Sequence, residues 1–464
     1  MYRLKINLLL ALMCFAGVML RAATAPGSVV WDTQTGRVSA DVHNEALFPL
    51  LEDIAHQTGW HIFVEPDTAR KIDVKFTNLP SGEALRDLLG GLNYAFVPKT
   101  NEASQLYVFI TRMENATRPV LATNPVAAKA GPQKHIANQL LVKLKPGADI
   151  DALAKSIGAK VVGRDDKQGI YLLEFPDAAA TDAALASLKT NSDVAAVEYN
   201  SIYDAPPAPQ AMANATGGPP KLTLDPSTTT GDPCNPVIGL IDTAVQPSGG
   251  PLDQFMLKPI SVVSGGASSS STGLTHGTAM YQTILNAISQ SAGGHTSTKI
   301  LPVQVFDSSE SASTWSVAQG VKAAVDNHAT VLSMSLGGTS DSAILDDIIQ
   351  QAVAKGIVIF AAAGNQPVST PTYPAALSGV NAVTALSAPG QLAAYANYGS
   401  FSSLALPGTS IVYQDGTGWV VQGTSPATAY AAGVAVGTKS ANCAGWSQII
   451  GAMQAKFPVP QNQK

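Results

Sequence analysis

Charged residues and cysteines are both scarce in this chain of 464 residues. Asp, Glu, Lys and Arg together make up 13% of it, the net charge is −5, and there is no basic block. It therefore lacks the electrostatic footprint of a nucleic-acid-binding protein. Three cysteines are too few for a disulfide scaffold. After the first 25 residues no segment is apolar enough to span a membrane. What the chain does have is 45% hydrophobic residues, 40 Gly and 30 Pro. That composition argues against a disordered chain, and the length allows two to four domains.

Residues 1–25 read as a secretory signal. Arg3 and Lys5 form a positive start, Ile6–Leu20 an apolar stretch of 15 residues, and Ala23-Thr24-Ala25 a cleavage site of the A-x-A form. Pro26 follows that site, so a cut after Ala22 is the alternative. The apolar stretch is short of the roughly 20 residues a spanning helix needs. The mature protein is therefore expected to be exported, either secreted or periplasmic. Cys14 leaves with the signal, which keeps Cys234 and Cys443 as the disulfide candidate. An oxidising compartment permits that bridge. Two unpaired buried thiols are the alternative, and spacing does not decide between them.

Residues 36–110 alternate strand and helix patterns, as one small α+β module. Val38–Val42 alternates, and Leu47, Leu50, Leu51, Ile54 and Ala55 recur at helical spacing. His61–Glu65 and Ile72–Phe76 read as strands, Ala84, Leu85, Leu88 and Leu89 as a second helix, and Tyr94–Val97 with Leu106–Ile110 as a hairpin. This β-α-β-β-α-β-β order, with the runs "ALFPLLEDIAHQTGWHIFVEP" and "IDVKFTNLPSGEALRDLLGGLNYAF", resembles the short N-terminal domain of secretins and TonB-dependent receptors. The resemblance implies a protein partner at the cell envelope. Residues 111–133 read as a linker. Residues 134–202 form a second α/β pattern: strands at Gln139–Leu144, Ile170–Phe175 and Val194–Glu198, helices at Ile150–Ile157 and Ala183–Lys189. The run "NQLLVKLKPGADIDALAKSIGAKVV" resembles the inhibitor-type propeptide that precedes subtilisin-like peptidases. Residues 203–231, with five prolines between Pro206 and Pro220, read as an extended linker suited to proteolysis.

The third segment, residues 232–458, alternates strand and helix patterns. Strands are predicted at Val237–Ile241, Lys299–Val305, Val331–Ser335, Ile357–Ala362 and Asn381–Ala385, with helices at Thr278–Ile288, Thr314–His328 and Ser342–Lys355. The fold class is therefore α/β, a mostly parallel sheet with helices on both faces. Functional groups of such sheets gather at the C-terminal strand ends. Asp242 ends the first strand, His276 opens a helix, and Asn365 follows a strand. Ser425 precedes a run of small residues at a helix N-terminus, where backbone N–H groups are free. A serine hydroxyl needs an imidazole to take its proton, and the imidazole needs a carboxylate to fix its tautomer. The oxyanion needs donors such as the Asn365 amide and the Ser425 N–H.

Asp, His, Ser is the chain order of subtilisin, whereas α/β-hydrolases run Ser, Asp, His; Gly423-Thr424-Ser425-Pro426-Ala427 also fails their G-x-S-x-G elbow. With "KILPVQVFDSS", "GVKAAVDNHATVLSMSLGG" and "LALPGTSI", residues 236–455 resemble the subtilisin-like serine peptidases. The resemblance implies that Asp242, His276 and Ser425 form a triad and that Asn365 serves the oxyanion. It implies that Ser335, Leu336 and Gly337 pair with extended substrate, walling a specificity pocket with Ala363 and Gly364. Ala244, Ala429, Tyr281 and Gln282 depart from the family pattern, yet none removes a reacting group.

No acidic residue lies between Asp347 and Asp415, so the expected substrate side chain is neutral, apolar or small. No cofactor is implied. Family members often bind calcium, but no calcium-loop motif stands out. His43, His56 and His61 lack metal-ligand spacing, and His135, His295 and His328 read as surface or helix-capping residues. The expected protein is an exported serine endopeptidase made as a self-processing precursor. The alternative is a non-catalytic envelope interaction protein whose peptidase domain is degenerate.

Overall fold

The computed structural model describes residues 28–33, 35–64, 70–90, 92–97, 104–109, 118–120, 134–212, 218–225, 234, 236–263, 273–388 and 391–460. They belong to two units, one ending at Thr123 and the other beginning at Asn124. The predicted signal, residues 1–25, lies outside the described residues.

In the first unit, Leu47, Leu50, Leu51, Ile54 and Ala55 share one buried face of the helix Leu47–Thr58. The helix stops at Gly59, whose φ of 69° is the left-handed conformation that glycine tolerates. The helix Ser81–Leu89 buries Ala84, Leu85, Leu88 and Leu89. Both helices share one core with residues of two sheets. One sheet has the order Ser28–Asp32, Arg37–Ala46, Lys71–Pro80; the other runs Asn93–Val97, Gln105–Phe109, His61–Val64, Arg118–Val120. The predicted element order holds inside a larger set. Ser28–Asp32 precedes it, and Arg118–Val120 pairs with His61–Val64. Residues 118–120 therefore belong to a sheet and not to the linker predicted over 111–133.

The second unit is built on an eight-stranded sheet. Its order is Ile260–Ser261, Lys299–Gln304, Val237–Asp242, Ala329–Met334, Val358–Ala362, Val380–Ala388, Gln391–Leu392, with Leu404–Pro407 also paired to Val380–Ala388. All pairings are parallel except that of Gln391–Leu392. Parallel strands covered on both faces bury residues of either parity. Ile238 and Leu240 accordingly join the core that holds the helices His276–Ser291 and Thr424–Asn442. Ile241 joins the core of the opposite face, with the helices Thr314–Asp326 and Ala343–Ala354. Glycines set two close approaches. A Cβ on Gly239 would lie 2.8 Å from Ala324 Cβ, and one on Gly433 would lie 2.6 Å from the Ile284 carbonyl oxygen. The small-residue run after Ser425 thus lets its helix press against another helix as well as the sheet.

Residues 134–204 form a smaller sheet of order Lys160–Asp165, Ile170–Glu174, His135–Leu144, Val194–Asp204. Its helices, Ile150–Ser156 and Ala178–Leu188, are capped by the Asp149 and Asp177 carboxylates. One face of this sheet packs on its own helices. The other contributes Leu141, Ile170, Leu172 and Tyr203 to the core of the large domain. Polar contacts follow the same seam. Glu198 accepts from Ser342 Oγ and from the Ala343 N–H (3.0 Å), and Lys143 pairs with Asp347 at 2.5 Å.

The strand Val194–Asp204 runs past its predicted end at Glu198. Ile202, Tyr203 and Asp204 pair antiparallel with Ser313, Ala312 and Ser311 of the large domain. Beyond it, Gln210–Met212 pairs with Val420–Gly418, and Thr223–Leu224 pairs with His295–Thr296. The described residues of 203–231 are therefore tied to the domain at three places, which corrects their reading as an extended linker.

Candidate active site

Asp242 is the last residue of its strand and is 1% exposed. Its Oδ1 accepts the Thr243 N–H at 2.7 Å and lies 2.8 Å from His276 Nδ1. His276 is the first residue of the helix His276–Ser291, whose N-cap is Thr275. An ionised carboxylate only accepts, so Nδ1 carries the proton and Nε2 is the acceptor. Gly277 is what brings the two elements together. A Cβ there would lie 2.3 Å from the Thr243 carbonyl oxygen, and its N–H donates to Thr243 Oγ1 at 2.8 Å. His276 Nε2 is buried and has no hydrogen-bond partner among the described residues.

Ser425 is the second residue of the helix Thr424–Asn442. Its Oγ donates to the Ser335 carbonyl at 3.3 Å, and Ser335 Oγ donates back to the Ser425 carbonyl at 3.2 Å. The hydroxyl is thus aimed at the strand edge and not at the imidazole. Asn365 Oδ1 accepts the Thr424 N–H at 2.8 Å and Thr424 Oγ1 at 3.1 Å. Committing the oxygen this way turns Nδ2 towards Gly423, where a Cβ would stand 3.1 Å from it. The φ of Gly423, 146°, is also one that side chains rarely adopt. Thr424 was not singled out in the sequence; the signal was its place between a glycine and the serine.

Ser425 and Asn365 open on a cavity of about 310 Å³. Ser335, Leu336, Gly337 and Gly364 line it. Ala363 does not: it is fully buried, with its N–H bound to the Val383 carbonyl, and Ala362 takes the lining place. Consecutive residues at a strand end face opposite sides, so a one-residue slip changes the face. Thr372 and Asn397 also line this cavity. Thr372 Oγ1 accepts from Asn397 Nδ2 at 3.0 Å, and Asn397 Oδ1 accepts the Gln366 N–H at 2.8 Å. His276 opens on a second cavity of about 90 Å³. Ala205 and Pro206 line both cavities, so the segment after Asp204 borders the cavity of the serine and that of the histidine.

Residues 234–453 match the subtilase family, and residues 122–200 match the fervidolysin N-terminal prodomain. Over 188 residues the chain is 33% identical to subtilisin Savinase of Lederbergia lenta, an overlap of 40% of this chain and 70% of that protein. The chain belongs to the subtilase family. It is also 37% identical over 163 residues to thermitase of Thermoactinomyces vulgaris, covering 35% of this chain and 58% of that one. Over 169 residues it is 38% identical to the thermostable alkaline protease of Halalkalibacterium halodurans, covering 36% and 47%. The chain spans about half the length of these last two relatives. Among solved structures, fervidolysin of Fervidobacterium pennivorans, a keratinolytic enzyme related to subtilisin, shares the fold. The TM-score is 0.50 at 18% identity, over 66% of this chain and 55% of that one.

The departures from the subtilase pattern are absorbed by neighbours. Buried Tyr281 donates its hydroxyl to the Leu252 carbonyl at 2.7 Å, and burial pushes that hydroxyl's pKa well above the usual tyrosine value. Gln282 spans to the hairpin Thr409–Gln422, accepting the Tyr413 N–H at 2.9 Å and donating to Gln414 at 3.1 Å. Ala429 is fully buried. Cys234 and Cys443 are joined in a disulfide, with Cα atoms 4.7 Å apart. Among the described residues, no group of three or more His, Cys, Asp or Glu is arranged to hold a metal ion, and no helix is long and apolar enough to cross a membrane. His135 stacks on Tyr199, and His295 and His328 are exposed.

Proposed function

We propose that this subtilase is a serine endopeptidase exported as a precursor, with Asp242, His276 and Ser425 as its triad. The observation that carries the reading is the buried Asp242–His276 pair, 2.8 Å apart, with His276 on a cavity that shares Ala205 and Pro206 with the cavity of Ser425 and Asn365. Ser425 Oγ turns from the Ser335 carbonyl to His276 Nε2 and gives up its proton as it attacks the substrate carbonyl carbon. Asn365 Nδ2 and the Ser425 N–H receive the negative oxygen. His276, now an imidazolium held by Asp242, returns the proton to the leaving nitrogen as the peptide bond breaks. Water, activated by the same imidazole, then releases the acyl group from Ser425.

Residues 134–212 are the prodomain and its tail, and they occupy the cleft of the precursor. The substrate is a protein or peptide with a neutral residue before the cleaved bond: the acidic and basic residues lining the cleft, Asp204 and Lys134, both come from the prodomain side. The unit ending at Thr123 docks on a protein of the cell envelope, as its resemblance to secretin and TonB short domains implies.

The test compares the full chain with its Ser425→Ala variant. Wild type should mature, hydrolyse casein and react with a fluorophosphonate, and the variant should do none of these. A wild type that stays full-length, cuts nothing and resists the label would support the non-catalytic alternative.

A further inference from the structure

We propose that the segment Ala205–Pro209 is a strap across the catalytic centre that the centre cannot cut, so that release of the prodomain requires cleavage elsewhere. This rests on the serine peptidase reading above. The strap is anchored at both ends by β-pairing. Upstream, Ile202–Asp204 pairs with Ser311–Ser313, the Ala205 N–H donates to the Glu310 carbonyl at 2.9 Å, and Asp204 pairs with Lys134 at 2.7 Å. Tyr203, 1% exposed, is sunk into the large domain's core against Gly338, where a Cβ would stand 3.1 Å from the ring. Downstream, Gln210–Met212 pairs with Gly418–Val420. Between the anchors, Ala205 and Pro206 face both the cavity of Ser425 and that of His276.

The sequence of the strap is Ala-Pro-Pro-Ala-Pro. Its bonds Ala205–Pro206, Pro206–Pro207 and Ala208–Pro209 all have a proline nitrogen as the leaving atom. That nitrogen carries ring carbon Cδ where other residues carry hydrogen, so the ring fills the space through which buried His276 must deliver its proton. Pro207–Ala208 has an ordinary nitrogen but proline on its acyl side. That proline has no N–H for the cleft edge, and its φ near −65° is not the strand value that β-augmentation requires. Three prolines in five positions also stiffen the segment towards an extended form, so little conformational entropy is lost in holding it there. The resting geometry matches this. With the strap in place, Ser425 Oγ is bound to the Ser335 carbonyl, and Nε2 of His276 has no partner among the described residues.

The experiment uses the full chain, its Pro206→Ala/Pro207→Ala/Pro209→Ala variant, and each of these with Ser425→Ala. New N-termini are located by mass spectrometry, and active centres are counted with a fluorophosphonate. Wild type should yield no N-terminus between 205 and 210. The triple variant should yield one there that disappears with Ser425→Ala, and it should become labelled sooner. A synthetic peptide of residues 203–212 should slow casein hydrolysis by the matured enzyme and remain intact, whereas its alanine counterpart should be cut. A Ser425-dependent cut within 205–209 in wild type overturns the strap, as does a labelled triple variant that is never cut there. Absence of labelling in every form overturns the peptidase reading, and the strap with it.

Discussion

Asn365 owes its orientation to Thr424, and that dependence separates two substitutions. Asn365→Leu removes a donor to the oxyanion and should lower kcat about 10²–10³-fold with little change in KM. Thr424→Val removes the 3.1 Å hydroxyl contact, and with it the acceptor of the Gly364 N–H at 3.2 Å, but leaves the 2.8 Å backbone N–H on Oδ1. Its loss should therefore stay near about tenfold in kcat, because the donor survives with looser aim. Equal losses in the two variants, measured by steady-state kinetics on one peptide, would mean that the hydroxyl fixes the amide alone. Thr372 sets a second expectation. Cβ atoms on Gly337 and Gly364 would stand 2.8 Å from its Cγ2 and 3.3 Å from its Oγ1, so its side chain touches both walls of the crevice. The crevice should favour small uncharged residues, and Thr372→Gly should raise kcat/KM for Phe relative to Ala at the position before the cut. A peptide series that keeps its Phe/Ala ratio in the variant would contradict this. The reacting types and their order were legible in the sequence because each carries chemistry of its own. Thr424 and Asn397 were not, since their roles arise only from what the fold sets beside them.

At the scale of elements, hydrophobic period announced the long pieces. Val237–Asp242, Val358–Ala362 and the helices flanking them appear within a few residues of their predicted limits, because buried parallel strands are apolar runs whatever their partners. What stayed hidden were short pieces that complete another element's edge: Ser28–Asp32, Lys160–Asp165, Arg118–Val120 and Gln210–Met212. Their ladder bonds are made by backbone, which every sequence offers alike. The seam between prodomain and large domain was equally illegible, and it has a pH signature. Burial raises the Glu198 carboxyl above the usual glutamate value, against the lowering effect of its bonds from Ser342 and the N–H groups at the start of the helix Ala343–Ala354. In the undocked chain the carboxyl returns to its ordinary value. The docked form binds the proton more tightly, so its stability is fully present below that ordinary value and falls as pH rises to the raised one. In the Ser425→Ala background, thermal midpoints should therefore decline through this window, and Glu198→Gln should flatten the decline. A parallel decline in both proteins would place the effect on other groups.

Across the whole molecule, scarcity of charge is concentrated in the catalytic part, where residues 232–464 hold 7 Lys, no Arg and 10 acidic residues. Few ion pairs are available there to hold the ends of the domain, and the disulfide does that work. Cys234 precedes the strand that ends in Asp242, and Cys443 caps the helix that begins near Ser425. Strand and helix present their reactive residues at one end, and the bridge joins them at the other. The bridged cysteines are separated by 209 positions. By the chain-entropy account, closing a loop of that length lowers the freedom of the unfolded chain by the equivalent of about 5 kcal/mol, an upper figure for what the bridge contributes. The sequence left open whether these thiols pair, because spacing in the chain says nothing about distance in space. Cys443→Ser in the Ser425→Ala background should lower the denaturant midpoint clearly, and a reductant should move the parent to the same value while leaving the variant unmoved. A parent that unfolds at one midpoint with and without reductant would show that strand and helix hold together without the bridge. The large shared core of Ile238, Leu240, Ala427 and Ala431 would then be sufficient by itself to keep Asp242 and Ser425 in register.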